Sequence, residues 1–350
     1  MVNSLTNIVW FDAPIGYLSI TAGAIPQWEQ WWKKQPEFEV ELHQFMGKDN
    51  VPFHSVIFPC TLMGTDDEWN LVKSLHTTEY LNYEGGKFSK SRGTGVFGSH
   101  VKTTGIPIDV WRYYLFAVRP DSGDTEFQWA DLIARNNNEL LANLGNFVNR
   151  LMKFTCHAAK YSGIVPDFKP NQGFIDEITK MTEEYVELME RCELRLGLMK
   201  LMQISTRGNQ YLQEQGMNNT LFENERSACD AVIGHGVNLI HTLATLVQPF
   251  MPNTSEGILA QVNAPLKSLK DSKFNLELQK GHKLGKPGYL FSRIDPKKAE
   301  EYKIQFGGKA LLEELAKKKE KKEREKLKKK LRSQEKLAEK LAKNDSDLKI

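Results

Sequence analysis

The sequence predicts an α/β segment, then an α-helical bundle, then a charged helical tail. Three observations carry this reading. Short apolar runs that stop at Gly, Asp or Pro fill the first hundred residues. From residue 129 to residue 248 apolar residues recur at helical spacing. Beyond residue 316, Lys and Glu dominate. The implied division is 1–104 α/β, 105–261 helical, 262–308 a mixed extension and 309–350 a low-complexity tail.

Each element has a local reason. Ile8-Val9-Trp10-Phe11 reads as a short strand ending at Asp12-Ala13-Pro14, with a helix from about Ile15. Leu42, Phe45 and Met46 suit a second strand that stops at Gly47-Lys48-Asp49. Pro52 opens a helix through Ser55, Ile57 and Phe58, disturbed by Pro59, which lacks an N–H. Thr77 to Tyr83 alternates as a strand. Glu84-Gly85-Gly86 then offers positive-φ residues for a tight turn. Pro107 and Asp109 begin a helix carrying Trp111, Tyr114 and Leu115. Residues 129–160 form a long helical pattern whose apolar face is Leu132, Leu140, Leu141, Leu144, Phe147, Val148 and Leu151. Residues 174–215 and 223–248 continue it, and the whole reads as a bundle. In the tail, Leu327/Leu331 and Leu337/Leu341 are i,i+4 pairs without a sustained heptad, so a frayed single helix is expected there.

A chain of 350 residues with 40% hydrophobic content can build two ordinary cores. Its net charge of +3 is unevenly placed. Residues 317–332 hold eleven Lys or Arg against three Glu, a net +8, while residues 1–316 carry −5. A tail of that kind either grips a polyanion or is a solvated helix. Cys60, Cys156, Cys192 and Cys229 form no Cys-x-x-Cys pair, and no His stands at metal-ligand spacing. The expectation is reduced thiols, with neither a disulfide framework nor a zinc site. No secretory signal is visible and no apolar run approaches membrane-spanning length, so no membrane partner is expected.

The most informative stretch is Lys87-Phe88-Ser89-Lys90-Ser91, between Gly85-Gly86 and Arg92-Gly93-Thr94-Gly95. Glycines let a backbone approach a phosphate, amides and hydroxyls donate to its oxygens, and lysines answer its charge. Such a run serves as an anion loop or as a solvated basic turn. Lys48-Asp49 stands where a strand gives way to a helix, the usual ligand crevice of an α/β sheet. Asp49 there suits a helix N-cap or an acceptor for ribose hydroxyls.

The lysine run resembles the second signature of class I aminoacyl-tRNA synthetases. Phe88, with Arg92-Gly93 following, is similar to the eukaryotic cytosolic methionyl-tRNA synthetases. Two further stretches resemble the same family. Val9-Trp10-Phe11-Asp12-Ala13-Pro14-Ile15-Gly16-Tyr17 is similar to a strand-to-helix segment lining its methionine pocket. Phe45-Met46-Gly47-Lys48-Asp49-Asn50-Val51-Pro52-Phe53-His54-Ser55 is similar to the next, with nucleotide contacts and one pocket wall. The resemblance runs from about residue 8 to 150 and more loosely to 308.

It implies the C-terminal portion of a class I nucleotide-binding fold and a helical anticodon-binding domain. It implies methionine–tRNA ligase activity in the cytoplasm. ATP, Mg²⁺, methionine and tRNA(Met) are the implied ligands, and a multi-synthetase assembly is a further partner it allows. Trp10, Ala13, Pro14, Tyr17 and His54 would line the methionine pocket, where a thioether packs on aromatic edges. Gly47, Lys48, Asp49, Lys87, Ser89, Lys90 and Ser91 would hold ATP, with Lys87 and Lys90 catalytic. The family's Asn-x-x-x-Asn-x-x-x-Arg spacing lays three side chains on one helix face toward a CAU anticodon. Here Asn146 and Arg150 match, the first place is Ala142, and Asn218 stands where a stacking tryptophan is expected. The His-x-Gly-His first signature is absent. The chain therefore resembles the C-terminal part of the enzyme and is expected to be inactive alone. The alternative is a non-catalytic tRNA-binding or regulatory fragment.

Overall fold

A computed structural model describes residues 4–269, 271–309 and 311–313, then 317, 320, 321, 323–326, 328 and 329, with the backbone alone for 4–11. The first region holds α1 (Ser4–Ala24), α2 (Trp28–Trp32), β1 (Leu42–Gly47), α3 (Phe58–Met63) and β2 (Val72–Thr78). β1 and β2 pair in parallel, with His43 opposite Ser74 and Phe45 opposite His76. A small core of Leu18, Trp32, Phe58 and Leu62 holds this lobe together.

Two expectations fail in the lobe. Residues 8–11 lie inside helix α1, which runs through Pro14, and not in a strand. A strand needs a neighbour for its N–H and C=O groups, and among the described residues none lies beside them; a helix bonds within itself. The helix at residue 53 begins as a widened π turn, Phe53–Ile57, before α3. Pro59 cannot donate to the Ser55 carbonyl, so the turn ahead of it loosens.

The run 77–83 is two strands, not one. β2 ends at Thr78, and β3 (Leu81–Tyr83) pairs in parallel with β4 (Thr125–Phe127). Between them Glu79 N donates to Pro120 O and Tyr80 N to Asp124 Oδ1, so the backbone changes partner there.

The helical region holds α4 (Gly98–Val101), α5 (Ile108–Ala117), α6 (Trp129–Arg135) and α7 (Asn146–Cys156). It continues with α8 (Gln172–Glu190), α9 (Leu194–Glu214), α10 (Asn219–Asn224), α11 (Arg226–Val247), α12 (Pro252–Val262) and α13 (Lys298–Phe306). α6 and α7 are joined by a π-helical stretch, Asn136–Gly145, so the expected long helix is continuous but widened. Leu132, Leu140, Leu144, Phe147, Val148 and Leu151 are buried, while Leu141 is half-buried. The wider turn rotates Leu141 off the apolar face.

One core runs from Tyr83 through Trp129, Phe147, Ile240 and Phe250 to Phe306, so the lysine loop shares the bundle's interior. α7 and α9 meet closely: a Cβ on Gly208 would lie 2.7 Å from the tip of the Phe147 ring. Buried Asp109 on α5 caps α12, accepting from Thr254 N at 2.6 Å, Thr254 Oγ1 at 2.7 Å and Asn253 Nδ2 at 3.0 Å. The extension returns to the bundle through α13, whose Tyr302 and Phe306 rings lie 4.7 and 5.4 Å from Trp129. The basic tail falls largely outside the described residues. No helix among the described residues is long and apolar enough to cross a membrane.

Candidate active site and anticodon face

The lysine loop hangs from one aromatic ring. Phe88 packs 5.1 Å from Tyr83 and 6.2 Å from Phe97. Gly95 makes room for it. A Cβ there would lie 2.3 Å from Phe88 Cδ1, and its φ of +111° suits glycine alone. Ser89 and Thr94 exchange backbone hydrogen bonds of 2.8 and 3.0 Å, closing a turn over Lys90 to Gly93. From the far side Gly95 N donates to Phe306 O at 2.8 Å, so α13 braces the loop. Arg92 Nε donates to Ser89 Oγ at 3.1 Å, and Ser91 Oγ stands 3.4 Å from it. Lys87 and Lys90 are exposed, and among the described residues neither makes an ion pair. A half-buried ring packed on the core beneath the two lysines presents positive charge from a fixed base. Below it, Tyr83 accepts from Trp129 Nε1 at 2.8 Å, and burial pushes its hydroxyl up to about 12.

Two of the residues expected in the methionine pocket meet in space. Tyr17 OH lies 2.8 Å from His54 Nε2, and His54 Nδ1 lies 2.8 Å from Asn50 O. A carbonyl only accepts, so Nδ1 carries the proton and Nε2 accepts from the tyrosine. The Phe58 ring stands 5.9 Å from Tyr17. Pro14 is buried on the same helix and Ala13 is exposed. The Trp10 side chain lies outside the described residues. His54 sits in the π turn that Pro59 creates, and this local feature sets its ring opposite α1.

Lys48 and Asp49 lie at the carboxyl end of β1 but are already engaged. Lys48 pairs with Glu79, lies 3.7 Å from Asp124 and stands over the Tyr80 ring at 4.4 Å. The hydrogen bond to Glu79 and the nearby carboxylates raise the Lys48 ammonium above its ordinary value. Both Asp49 oxygens accept from Tyr80 OH, at 2.7 and 2.6 Å. Asp49 lies inside the 3₁₀ turn Lys48–Asn50, whose N-cap position is Gly47, so the N-cap alternative is not realised. Tyr80 was not expected in this group. Its signal was Asp49 itself, an acidic group at a strand end facing the next strand's exit.

On the bundle, Asn146 belongs to an amide network between α7 and α9. Its Nδ2 donates to Asn209 Oδ1 at 3.3 Å, and Asn209 Nδ2 donates to Asn143 O and Oδ1 at 3.0 Å. Ser205 Oγ adds a bond to Asn143 Oδ1 at 3.0 Å. Asn143, three residues before Asn146, shares its face and could have been read from that spacing. Arg150 is exposed one turn further on. Ala142, Asn146, Asn149, Tyr289 and Phe291 line a groove of about 380 Å³ beside it. Asn218 caps α10, accepting from Leu221 N at 2.9 Å.

Residues 4–152 match the family described as tRNA synthetases class I (M), and residues 167–311 match the anticodon binding domain of methionyl tRNA ligase. The chain belongs to the methionyl-tRNA synthetase family. It is 50% identical over 305 residues to the cytoplasmic methionine–tRNA ligase of Saccharomyces cerevisiae, covering 86% of this chain and 40% of that relative. To the cytoplasmic enzyme of Homo sapiens it is 44% identical over 307 residues, covering 86% of this chain and 34% of the relative. In fold it is similar to the free-state methionyl-tRNA synthetase of Mycobacterium tuberculosis, with a TM-score of 0.68 at 21% identity, covering 82% of this chain and 56% of that one. The same enzyme in complex with methionyl-adenylate gives a TM-score of 0.66 at 22% identity, covering 81% and 56%. The chain thus spans 34–40% of the length of these two curated relatives.

Proposed function

We propose that this chain carries the phosphate loop, one wall of the methionine pocket and the anticodon-binding part of a cytoplasmic methionine–tRNA ligase. The observation that carries the reading is the exposed Lys87–Lys90 pair on a turn anchored by Phe88. The methionine carboxylate attacks the α-phosphorus of ATP, and the bond to pyrophosphate breaks. A terminal ribose hydroxyl of tRNA(Met) then takes the methionyl group, and AMP leaves. No side-chain nucleophile is required. Positioning and stabilisation of phosphate charge do the work, and Lys87 and Lys90 supply the charge. Tyr17 and His54 orient the amino acid. Gly47, Lys48, Asp49, Ser89 and Ser91 face the nucleotide. ATP arrives as its Mg²⁺ complex; exposed Asp49 and Asp124 are oxygen donors that suit that ion, which when bound neutralises phosphate charge. Asn146 and Arg150 read loop bases of the tRNA through amide and guanidinium groups.

The test is Lys90→Ala in a chimera restoring the relatives' full length. Adenylate formation should slow by ~100-fold or more, about 3 kcal/mol, with the methionine KM unchanged, because the charge it meets grows in the transition state. An unchanged rate would place Lys90 in bulk solvent and end the reading.

A second reading is a tRNA-binding chain without catalysis. It is favoured by α1, which puts residues 8–11 in a helix where the family resemblance implies a strand. Methionine-dependent ATP–pyrophosphate exchange by the 350-residue chain alone would exclude it, and tRNA binding without exchange would favour it.

A further inference from the structure

Two histidines and one cysteine converge where the N-terminal lobe faces the bundle. His43 on β1 and His76 on β2 lie on one face of the parallel pair, with ring centroids 6.1 Å apart and planes 13° from parallel. Cys192 comes from the turn between α8 and α9. One ligand atom from each of the three lies within 4.8 Å of the others. We propose that His43, His76 and Cys192 form a zinc site that staples the lobe to the bundle.

The surroundings are those of a metal site. His43 Nε2 lies 3.2 Å from Glu41 Oε2, and a carboxylate only accepts, so that nitrogen carries the proton and Nδ1 is left with a lone pair. A carboxylate behind a histidine is the arrangement that fixes ring and tautomer at zinc sites. The second ring is held as well: Phe45 stacks on His76 with centroids 4.7 Å apart. Ser74 Oγ stands between the imidazoles, 2.7 Å from His43 Nδ1 and 2.9 Å from His76 Nε2. The hydroxyl donates to His43 Nδ1 and can accept from His76 Nε2–H; a cation would take its place by drawing one lone pair from each ring.

Cys192 is held in an uncommon conformation. Its φ is +57°, at a helix end where glycine or asparagine is usual. The cation nearby, Arg119, is paired with Asp121. Tetrahedral bonds of about 2.0–2.3 Å set ligand atoms about 3.5 Å apart, so the trio has to close by only about an ångström. Two imidazoles and a thiolate suit zinc, with the fourth position open to water. The lobe's core is separate from the bundle's, so a metal across this contact would tie together regions that no shared apolar core joins. The site stands apart from the synthetase reading and uses none of its residues.

The experiment takes the reduced, metal-free 350-residue chain and titrates it with Co²⁺, then competes with Zn²⁺. One equivalent should bind with a thiolate-to-cobalt charge-transfer band, and Zn²⁺ should abolish it. Cys192→Ser, His43→Gln and His76→Gln should each weaken binding ~100-fold or more, and Glu41→Gln about 10- to 100-fold. Cys60→Ser should change nothing. Variants are read only where far-ultraviolet circular dichroism matches the parent. A measurement on the unaltered chain stands beside them: Zn²⁺ should protect Cys192 from alkylation more than ten-fold, located by peptide mass. Absence of a thiolate band, a band that survives Cys192→Ser, or equal alkylation of Cys192 with and without Zn²⁺ would overturn the proposal.

Discussion

Phe147 in the bundle and Phe45 in the N-terminal lobe are the same side chain in opposite settings. Phe147 is fully buried, wedged where Gly208 lets α9 approach α7. Phe45 lies on a two-stranded sheet and is 54% exposed. Their regions differ in the same way. The bundle encloses Trp129, Leu144, Ile240 and Phe250, while among the described side chains the lobe closes on four and leaves Ile20 at 73% and Met63 at 69% exposure. The polar groups inherit the contrast. The Asn143–Asn146–Asn209 network sits on a rigid seam. The Tyr17–His54 pair rests on a thin core, so its single hydrogen bond is a larger share of what holds it.

The sharpest test exchanges the two phenylalanines for alanine. Phe147→Ala should cost about 3–5 kcal/mol, because the surrounding helices cannot close on the void. Phe45→Ala should stay within about 0.5 kcal/mol. Equal losses in chemical denaturation would erase the contrast between the regions.

Next in size is Asp109→Ala. It leaves Thr254 N and Asn253 Nδ2 without a buried anionic acceptor, and hydrogen bonds to a charged group are worth about 1.5–3 kcal/mol. A destabilisation of about 3 kcal/mol is expected, with hydrogen exchange quickening first in α12. Uniform quickening would mean that the cap is not local to that helix.

Acid should loosen the bundle through His235. Its Nδ1 donates to Ala231 O at 2.6 Å and its Nε2 accepts from Asn171 N at 2.8 Å. Protonation would turn Nε2 into a donor facing a donor, and burial already holds its pKa below the ordinary 6.5. The unfolded chain binds the proton more readily. The stability is therefore complete above about 6.5 and is lost as pH falls through the lower folded value. His241, lowered by burial as well, acts in the same direction. Thermal melts between pH 7 and pH 5 should show the fall, and His235→Gln should flatten it; a slope unchanged by that substitution would exclude His235 as its source.

The smallest effect is Tyr17→Phe, which removes one partly exposed hydrogen bond, about 0.5–1.5 kcal/mol. Proteolysis should begin in residues 12–63 at lower denaturant in this variant, with the bundle's transition unmoved. A shift of both transitions would show the two regions to be one cooperative unit.

Much of this was legible in the sequence because its causes are local. The Lys87–Ser91 run announced its own turn, the stop at Gly47 ended β1, and the spacing from Leu132 to Leu151 fixed the buried face of the long helix. Other features depended on partners far along the chain. Residues 8–11 have the composition of a strand, yet a strand forms only beside another, and α1 satisfies its own backbone. Leu141 left the apolar face because a π turn altered the pitch. Asp109 found its role 145 residues away, at Thr254. His43, His76 and Cys192 carry no mutual spacing that a sequence can show; two parallel strands and one helix turn bring their ligand atoms together. Periodicity and turn chemistry act within a few residues and are written in the order of the chain. Pairing, capping and convergence act through space, and only the packed structure sets which distant groups meet.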